Sequence, residues 1–213
     1  TEEQVMIQDM AKRFASDRLA PHTSSWDEEK HFPVDVIKDT AELGFAGIYV
    51  GEDVGGSALG RLDAALIFEQ LSYGDVSTAA FISIHNMASW MIDRFGNDEQ
   101  RKTWLPKLTS MELIASYCLT EPGSGSDAAA MKTTAVRDGD EYVLNGSKQC
   151  ISGAGTSDVY VLMAKTSDAG ARGVSAFIIP LGTPGLSFGN NEKKMGWNSQ
   201  PTKQVLLADV RIQ

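Results

Sequence analysis

The spacing of apolar residues changes character about half-way along the chain. As far as Leu108 it follows the helical period, with apolar positions three and four residues apart. Thr1 and Gln4 stand at capping-box spacing, Met6, Met10, Arg13 and Phe14 mark one face, and the pattern stops before Pro21. Phe32-Pro33 predicts a second helix start, with Val34, Ile37 and Ala41 on one face and Gly44 as its C-cap. Gly51, Gly55, Gly56 and Gly60 make Val50 to Gly60 a loop. A third helix is expected from Arg61 to Tyr73, closed by Gly74. A long fourth runs from Val76 to Phe95, closed by Gly96, with the stripe Ile84, Met87, Ala88, Met91 and Ile92. Asn97 and Gln100 form a capping pair for a fifth helix that ends at Leu108.

Near Leu113 the period shortens to that of strands. Ile114 to Leu119 reads as a strand. Thr133 to Arg137 and Glu141 to Leu144 flank an Asp138-Gly139 turn, a hairpin signal. Val159 to Lys165, Val174 to Pro180 and Gln204 to Leu207 are further strand candidates. Helices followed by strands imply an α+β chain rather than alternating βαβ units. The expected division is a helical domain over 1–112 and a middle β-domain over 113–213, barrel-like or sandwich-like.

Composition narrows the function. In 213 residues, 42% are apolar and 22% charged, as in an ordinary globular protein. The formal net charge of −9 argues against a nucleic-acid partner, which needs a basic face. No run approaches the ~18 apolar residues of a membrane span, so no membrane partner is expected. Cys118 and Cys150 lie in apolar or small-residue runs, without CxxC spacing or clustered histidines. Buried reduced thiols are expected, and no metal site.

Two segments carry candidate chemistry. The first is Tyr117-Cys118-Leu119-Thr120-Glu121-Pro122-Gly123-Ser124-Gly125-Ser126-Asp127, where a strand gives way to a small-residue loop. Such a loop lets backbone N–H groups come close to a ligand, and Thr120, Ser124 and Ser126 add hydroxyls. The second is Leu144-Asn145-Gly146-Ser147-Lys148-Gln149-Cys150-Ile151-Ser152-Gly153-Ala154-Gly155. It reads as a turn at Asn145-Gly146, a return to strand and a second small-residue loop. Spacing alone leaves plain turns open in both places. A Rossmann site is excluded, since no GxGxxG stands between a strand and a helix. The basic pair Lys193-Lys194 reads as a solvated turn.

The two motifs together resemble the flavin-binding signature of the acyl-CoA dehydrogenase family. Phe81 to Met87, Gly182 to Gly189 and Lys194 to Thr202 extend the likeness toward the branch that acts on isobutyryl-CoA. The resemblance covers the whole chain. It implies a helical N-terminal domain and a middle β-domain, with the family's C-terminal helical bundle absent. It implies FAD as cofactor, with Tyr117, Leu119, Thr120, Gly125, Ser126, Cys150, Ile151 and Ser152 against it. Leu119 would act through its backbone, Thr120 through hydroxyl and N–H, and Ser152 beside flavin N5. Relatives usually carry an aromatic residue where this chain has Cys150.

For substrate, the resemblance implies an acyl-CoA thioester met by Ser126, Ile84 and His85, with Asn86 and Met87 nearby. The implied reaction is α,β-dehydrogenation of a short branched acyl-CoA, isobutyryl-CoA in valine catabolism. The family's catalytic glutamate lies in the bundle, so no catalytic residue is assigned here and residues 1–213 alone are expected to be inactive. Glu121 and Asp127 are expected to hold the loop. Implied partners are an electron-transfer flavoprotein and, at full length, a homotetramer. The bacterial cytoplasm and the mitochondrial matrix both fit. Alternatives are a 2-methyl-branched or short straight-chain substrate, a non-catalytic flavin- or acyl-CoA-binding module, and an oxidase that passes electrons to oxygen.

Overall fold

A computed structural model describes residues 1–213, and the chain divides into two compact units. The first comprises Thr1–Ile114 with Lys194–Gln200, the second Ala115–Lys193 with Pro201–Gln213. The division therefore falls two residues later than the sequence suggests. A short segment from the far end of the chain also belongs to the first unit.

The first unit is helical: α1 (Glu2–Phe14), α2 (Thr23–Glu29), α3 (Val34–Asp39), α4 (Arg61–Gly74), α5 (Val76–Phe95) and α6 (Asp98–Thr109). Local signals set most of the boundaries. Thr1 and Gln4 complete the capping box of α1, and Asn97 and Gln100 that of α6. Asp75 caps α5 by accepting from the Thr78 N–H at 2.7 Å. Helix α2 escaped the sequence reading: among its seven residues only Trp26 is buried, too little for a periodic stripe. The core gathers Phe45, Ile48, Ile67, Leu71, Phe81 and Ile82, each nearly or fully buried. Each contributes about 1.5–3 kcal/mol through area removed from water.

Residues 194–200 join this unit through specific bonds. The Asn198 N–H and side-chain amide donate to the two oxygens of Asp27 at 2.7 and 3.0 Å. These bonds pull the Asp27 carboxyl below its ordinary pKa, against the opposing effect of burial and with help from Lys194. Lys194 Nζ donates to the carbonyls of Trp197 and Gln200 at 2.6 and 2.8 Å. The expected solvated turn at Lys193-Lys194 is thus corrected for Lys194, which organises its own segment.

The second unit is one seven-stranded sheet: β1 (Ala115–Cys118), β2 (Thr134–Asp138), β3 (Glu141–Ser152), β4 (Val159–Lys165), β5 (Val174–Pro180), β6 (Leu186–Phe188) and β7 (Thr202–Ile212). Strand order is β1-β4-β2-β3-β7-β6, with β5 beside β4. Strands β1 and β4 run parallel, while β2–β3, β3–β7, β4–β5 and β6–β7 are antiparallel. Two strands separate β1 from β3 in this order, yet the end of β1 bonds directly to β3. The sheet therefore curls back on itself toward a barrel. Its core holds Cys118, Leu144, Tyr160, Leu162, Ile179 and Val205.

The expected turn at Asn145-Gly146 is a β-bulge inside one long strand. Leu144 pairs with Val210 and Gly146 with Leu207, so β7 carries one extra residue there. Asn145 and Asp209 close the bulge reciprocally: Asn145 donates to the Asp209 carboxylate at 3.0 Å, and the Asp209 N–H donates back at 2.9 Å. The polar chemistry that favours a turn is used here to cap a bulge. Gly146, at φ +147°, has Thr133 so close that a Cβ would lie 2.8 Å from its Cα.

No helix is long and apolar enough to cross a membrane. No cluster of three or more His, Cys, Asp or Glu residues is placed to hold a metal ion.

Candidate functional site

The two small-residue segments meet in the second unit. Strand β3 carries a second bulge between Lys148, opposite Val205, and Ile151, opposite Lys203. Here the extra residue is on β3, and Cys150 takes φ +59°. The bulge removes Gln149 from the ladder with β7. Its N–H donates instead to the Thr120 carbonyl at 2.8 Å. At the end of the strand, the Ser116 hydroxyl donates to the Ser152 carbonyl at 2.5 Å and sits 2.7 Å from the buried Ser157 hydroxyl. Thr120 and Ser152 therefore stand on adjoining segments, both partly exposed.

A buried ion pair lies behind this edge. Lys148 Nζ donates to Glu121 Oε1 at 2.8 Å and to the Leu119 carbonyl at 3.0 Å. Both side chains are nearly or fully enclosed, at 0% and 5% exposure. Glu121 also accepts from the N–H groups of Lys132 and Thr133 at 2.6 and 3.0 Å. Burial alone would raise its pKa, but the bonds from Lys132, Lys148 and Thr133 together hold it below the ordinary value. Burial pulls the Lys148 ammonium down against the attraction of Glu121. The expectation that Glu121 holds the loop fits this network. Asp127 contributes through its carbonyl, which accepts from the Ser124 hydroxyl at 2.8 Å.

The remaining expected residues are distributed as follows. Tyr117 and Leu119 are half-buried, and burial raises the Tyr117 phenol. Ile151 is buried, so only its backbone is open to a ligand. Gly125 and Ser126 are exposed beyond the tight Glu121–Ser124 turn, and a Cβ on Gly125 would meet no atom within 4 Å. Nothing within the chain demands glycine there, which suits close approach by a ligand. Cys150 corrects one expectation: Cys118 is buried, with its thiol pushed far up by desolvation, but Cys150 is exposed because the bulge turns it out.

The expected substrate contacts of the first unit fare differently. Ile84 is half-buried. His85 has no exposed surface, and its Nε2 lies 3.0 Å from the Leu108 carbonyl. Burial lowers its pKa to about 4, against the raising effect of the Leu108 and Ala46 carbonyls. A fully enclosed ring offers no face to a ligand, so His85 is corrected to a core histidine. Asn86 is likewise internal: it donates to the Phe45 and Ile82 carbonyls and accepts from the Ile48 N–H.

Lys148, Ser116 and Ser157 escaped the sequence reading. One signal was present: Lys148 lies at the same inward parity of β3 as Leu144. A lysine at a core position demands an acid nearby, and Glu121 was the acid of the neighbouring motif.

Comparisons with known proteins agree with this geometry. Residues 1–112 match the model of the acyl-CoA dehydrogenase N-terminal domain, and residues 116–210 that of the middle domain. The chain belongs to the acyl-CoA dehydrogenase family. It is 56% identical over 213 residues to a mitochondrial isobutyryl-CoA dehydrogenase of Dictyostelium discoideum, covering 100% of this chain and 51% of that protein. The mitochondrial isobutyryl-CoA dehydrogenase of Bos taurus is 55% identical over 212 residues, again with 100% and 51% covered. The chain thus spans about half the length of these curated relatives. A glutaryl-CoA dehydrogenase from Mycobacterium smegmatis, solved in complex with FADH2, superposes with a TM-score of 0.93 at 30% identity. That match covers 100% of this chain and 54% of the other. The helical domain followed by a curled β-domain is the acyl-CoA dehydrogenase N-terminal and middle pair.

The donor set of this acyl-CoA dehydrogenase edge fits a flavin. It offers hydroxyls and amides, and a glycine open to close approach.

Proposed function

We propose that the protein is an FAD-dependent acyl-CoA dehydrogenase acting on a short branched acyl-CoA thioester, isobutyryl-CoA first among them. One observation carries most weight: the Gln149–Thr120 and Ser116–Ser152 bonds hold the backbones of Thr120 and Ser152 on adjoining segments, which supports a shared edge for a planar ligand. The relatives named isobutyryl-CoA dehydrogenase, at 55–56% identity, support the substrate class.

In this reading Thr120 and Leu119 offer N–H groups, and Thr120 its hydroxyl, to the polar end of the ring. Donors there stabilise negative charge that grows on reduction. Ser152 stands at the hydride-accepting edge, beside the backbone of Ile151. Tyr117 and Cys150 flank it. Gly125 and Ser126 meet the phosphates or the pantetheine arm, and Ile84 belongs to the acyl pocket. FAD, when bound, supplies the acceptor for the hydride that leaves the β-carbon. Glu121 is held ionised and enclosed by Lys148, so it does not remove the α-proton. Electrons pass on to an electron-transfer flavoprotein, the assembly is a homotetramer, and the compartment is the mitochondrial matrix or a bacterial cytoplasm.

Anaerobic titration of the flavin-loaded full-length protein with isobutyryl-, 2-methylbutyryl- and butyryl-CoA tests this. Bleaching of the flavin absorbance at lowest concentration by isobutyryl-CoA is expected. No bleaching by any of the three would sink the proposal, and rapid peroxide formation in air would turn it toward an oxidase.

A further inference from the structure

The carbonyl oxygens of the candidate flavin edge are already engaged inside the chain. The Leu119 carbonyl accepts from Lys148 Nζ, the Thr120 carbonyl from Gln149 N–H, and the Ser152 carbonyl from the Ser116 hydroxyl. By contrast, none of the turn and loop bonds around this segment uses the N–H of Leu119 or Thr120. The segment therefore has its acceptors satisfied by turn and side-chain bonds that its N–H donors do not share. Two of these carbonyl bonds come from peptide or hydroxyl donors of neighbouring strands. The Leu119 bond is different, because it requires a fully buried ammonium.

A buried lysine is a costly way to satisfy one carbonyl. Desolvating an ion costs several kcal/mol, and the attraction of its partner repays this only with good geometry. Here the ammonium reaches Glu121 and Leu119 together, and Glu121 in turn holds the Lys132 and Thr133 amides. We propose that Lys148 and Glu121 form a positioning pair for flavin reduction. Lys148 fixes the Leu119 carbonyl inward, so that the Leu119–Thr120 edge presents hydrogen-bond donors only to the ring. This inference rests on the flavin reading above. A donor-only edge binds the reduced, negatively charged ring better than the oxidised one. A released Leu119 carbonyl brings a lone pair toward the same ring and removes that preference. Lys148 and Glu121 act through Leu119 and Thr120, and neither is a catalytic residue.

The test is the midpoint potential and visible spectrum of the flavin-loaded protein, measured for wild type and for Glu121→Gln/Lys148→Met. The double variant leaves no unpaired buried charge. The preference for reduced over oxidised flavin should fall about tenfold, equivalent to about 30 mV for a two-electron couple. The absorbance fine structure should change with it. Ile179→Val, a core change in β5, controls for general loosening and should leave the potential where it was. Glu121→Gln alone, which keeps an acceptor for one of the two amides, should shift the potential in the same direction and serves if the double variant does not fold. A folded, flavin-bound variant with the wild-type potential and spectrum overturns the positioning role. A wild-type protein that takes up no FAD overturns the flavin reading itself.

Discussion

The Ser116 hydroxyl donates to the Ser152 carbonyl, joining the first strand of the β-unit to the last residue of its third. Ser116 has one hydroxyl proton, so the 2.7 Å contact with Ser157 is a bond that Ser157 donates. Ser116→Ala leaves a part-buried carbonyl and a buried hydroxyl without their partner. We expect a loss of about 1–3 kcal/mol in denaturant unfolding, together with weaker retention of FAD on dialysis. Unchanged stability and unchanged retention would show that the link does not hold the edge.

The Lys148–Glu121 pair predicts a pronounced non-additivity. Lys148→Met alone leaves a buried carboxylate unpaired and should cost about 3–5 kcal/mol. Adding Glu121→Gln should recover part of that loss. A double-mutant cycle from urea melts measures the coupling, and strictly additive effects would contradict the buried pair.

His85 predicts a pH dependence. Its folded pKa is lowered to about 4 from the ordinary 6.5, so the unfolded chain binds the extra proton first as pH falls. The stabilisation is complete above pH 6.5 and is lost progressively as pH drops from 6.5 toward 4. The loss is on the order of 3 kcal/mol. His85→Gln keeps an amide donor for the Leu108 carbonyl and does not titrate, so its stability should slope less over that range. Equal slopes for the two proteins would assign the acid sensitivity elsewhere.

Gly146 offers a test of the first bulge. Its φ of +147° and the nearness of Thr133 leave no place for a side chain. Gly146→Ala should destabilise by about 1–3 kcal/mol and reduce hydrogen-exchange protection in β2 and β3. A neutral result would mean that the bulge relaxes freely.

A polypeptide of residues 1–213 should bind FAD and yet not be bleached by isobutyryl-CoA under anaerobic conditions. Glu121, the buried carboxylate beside the edge, is occupied by Lys148 and two amides. Bleaching by this polypeptide would reveal a base among its own residues.

Local rules made much of this molecule legible from its sequence. Helix α5 from Val76 to Phe95, the capping boxes at Thr1 and Asn97, and strands β4 and β5 follow from period, caps and glycine stops within a few residues. The order of helices before strands gave the α+β class, and the two small-residue motifs marked the edge. What sequence left undecided depends on residues far apart in the chain. Whether Asn145-Gly146 turns or bulges is settled by Asp209, and whether His85 is open or enclosed by Leu108 and the surrounding core. Whether Lys148 is solvated or buried is settled by Glu121. Periodicity reports which face of an element is apolar. It does not report which partner neutralises a buried charge or closes a bulge, because that energy exists only once the sheet has curled and the partners have met.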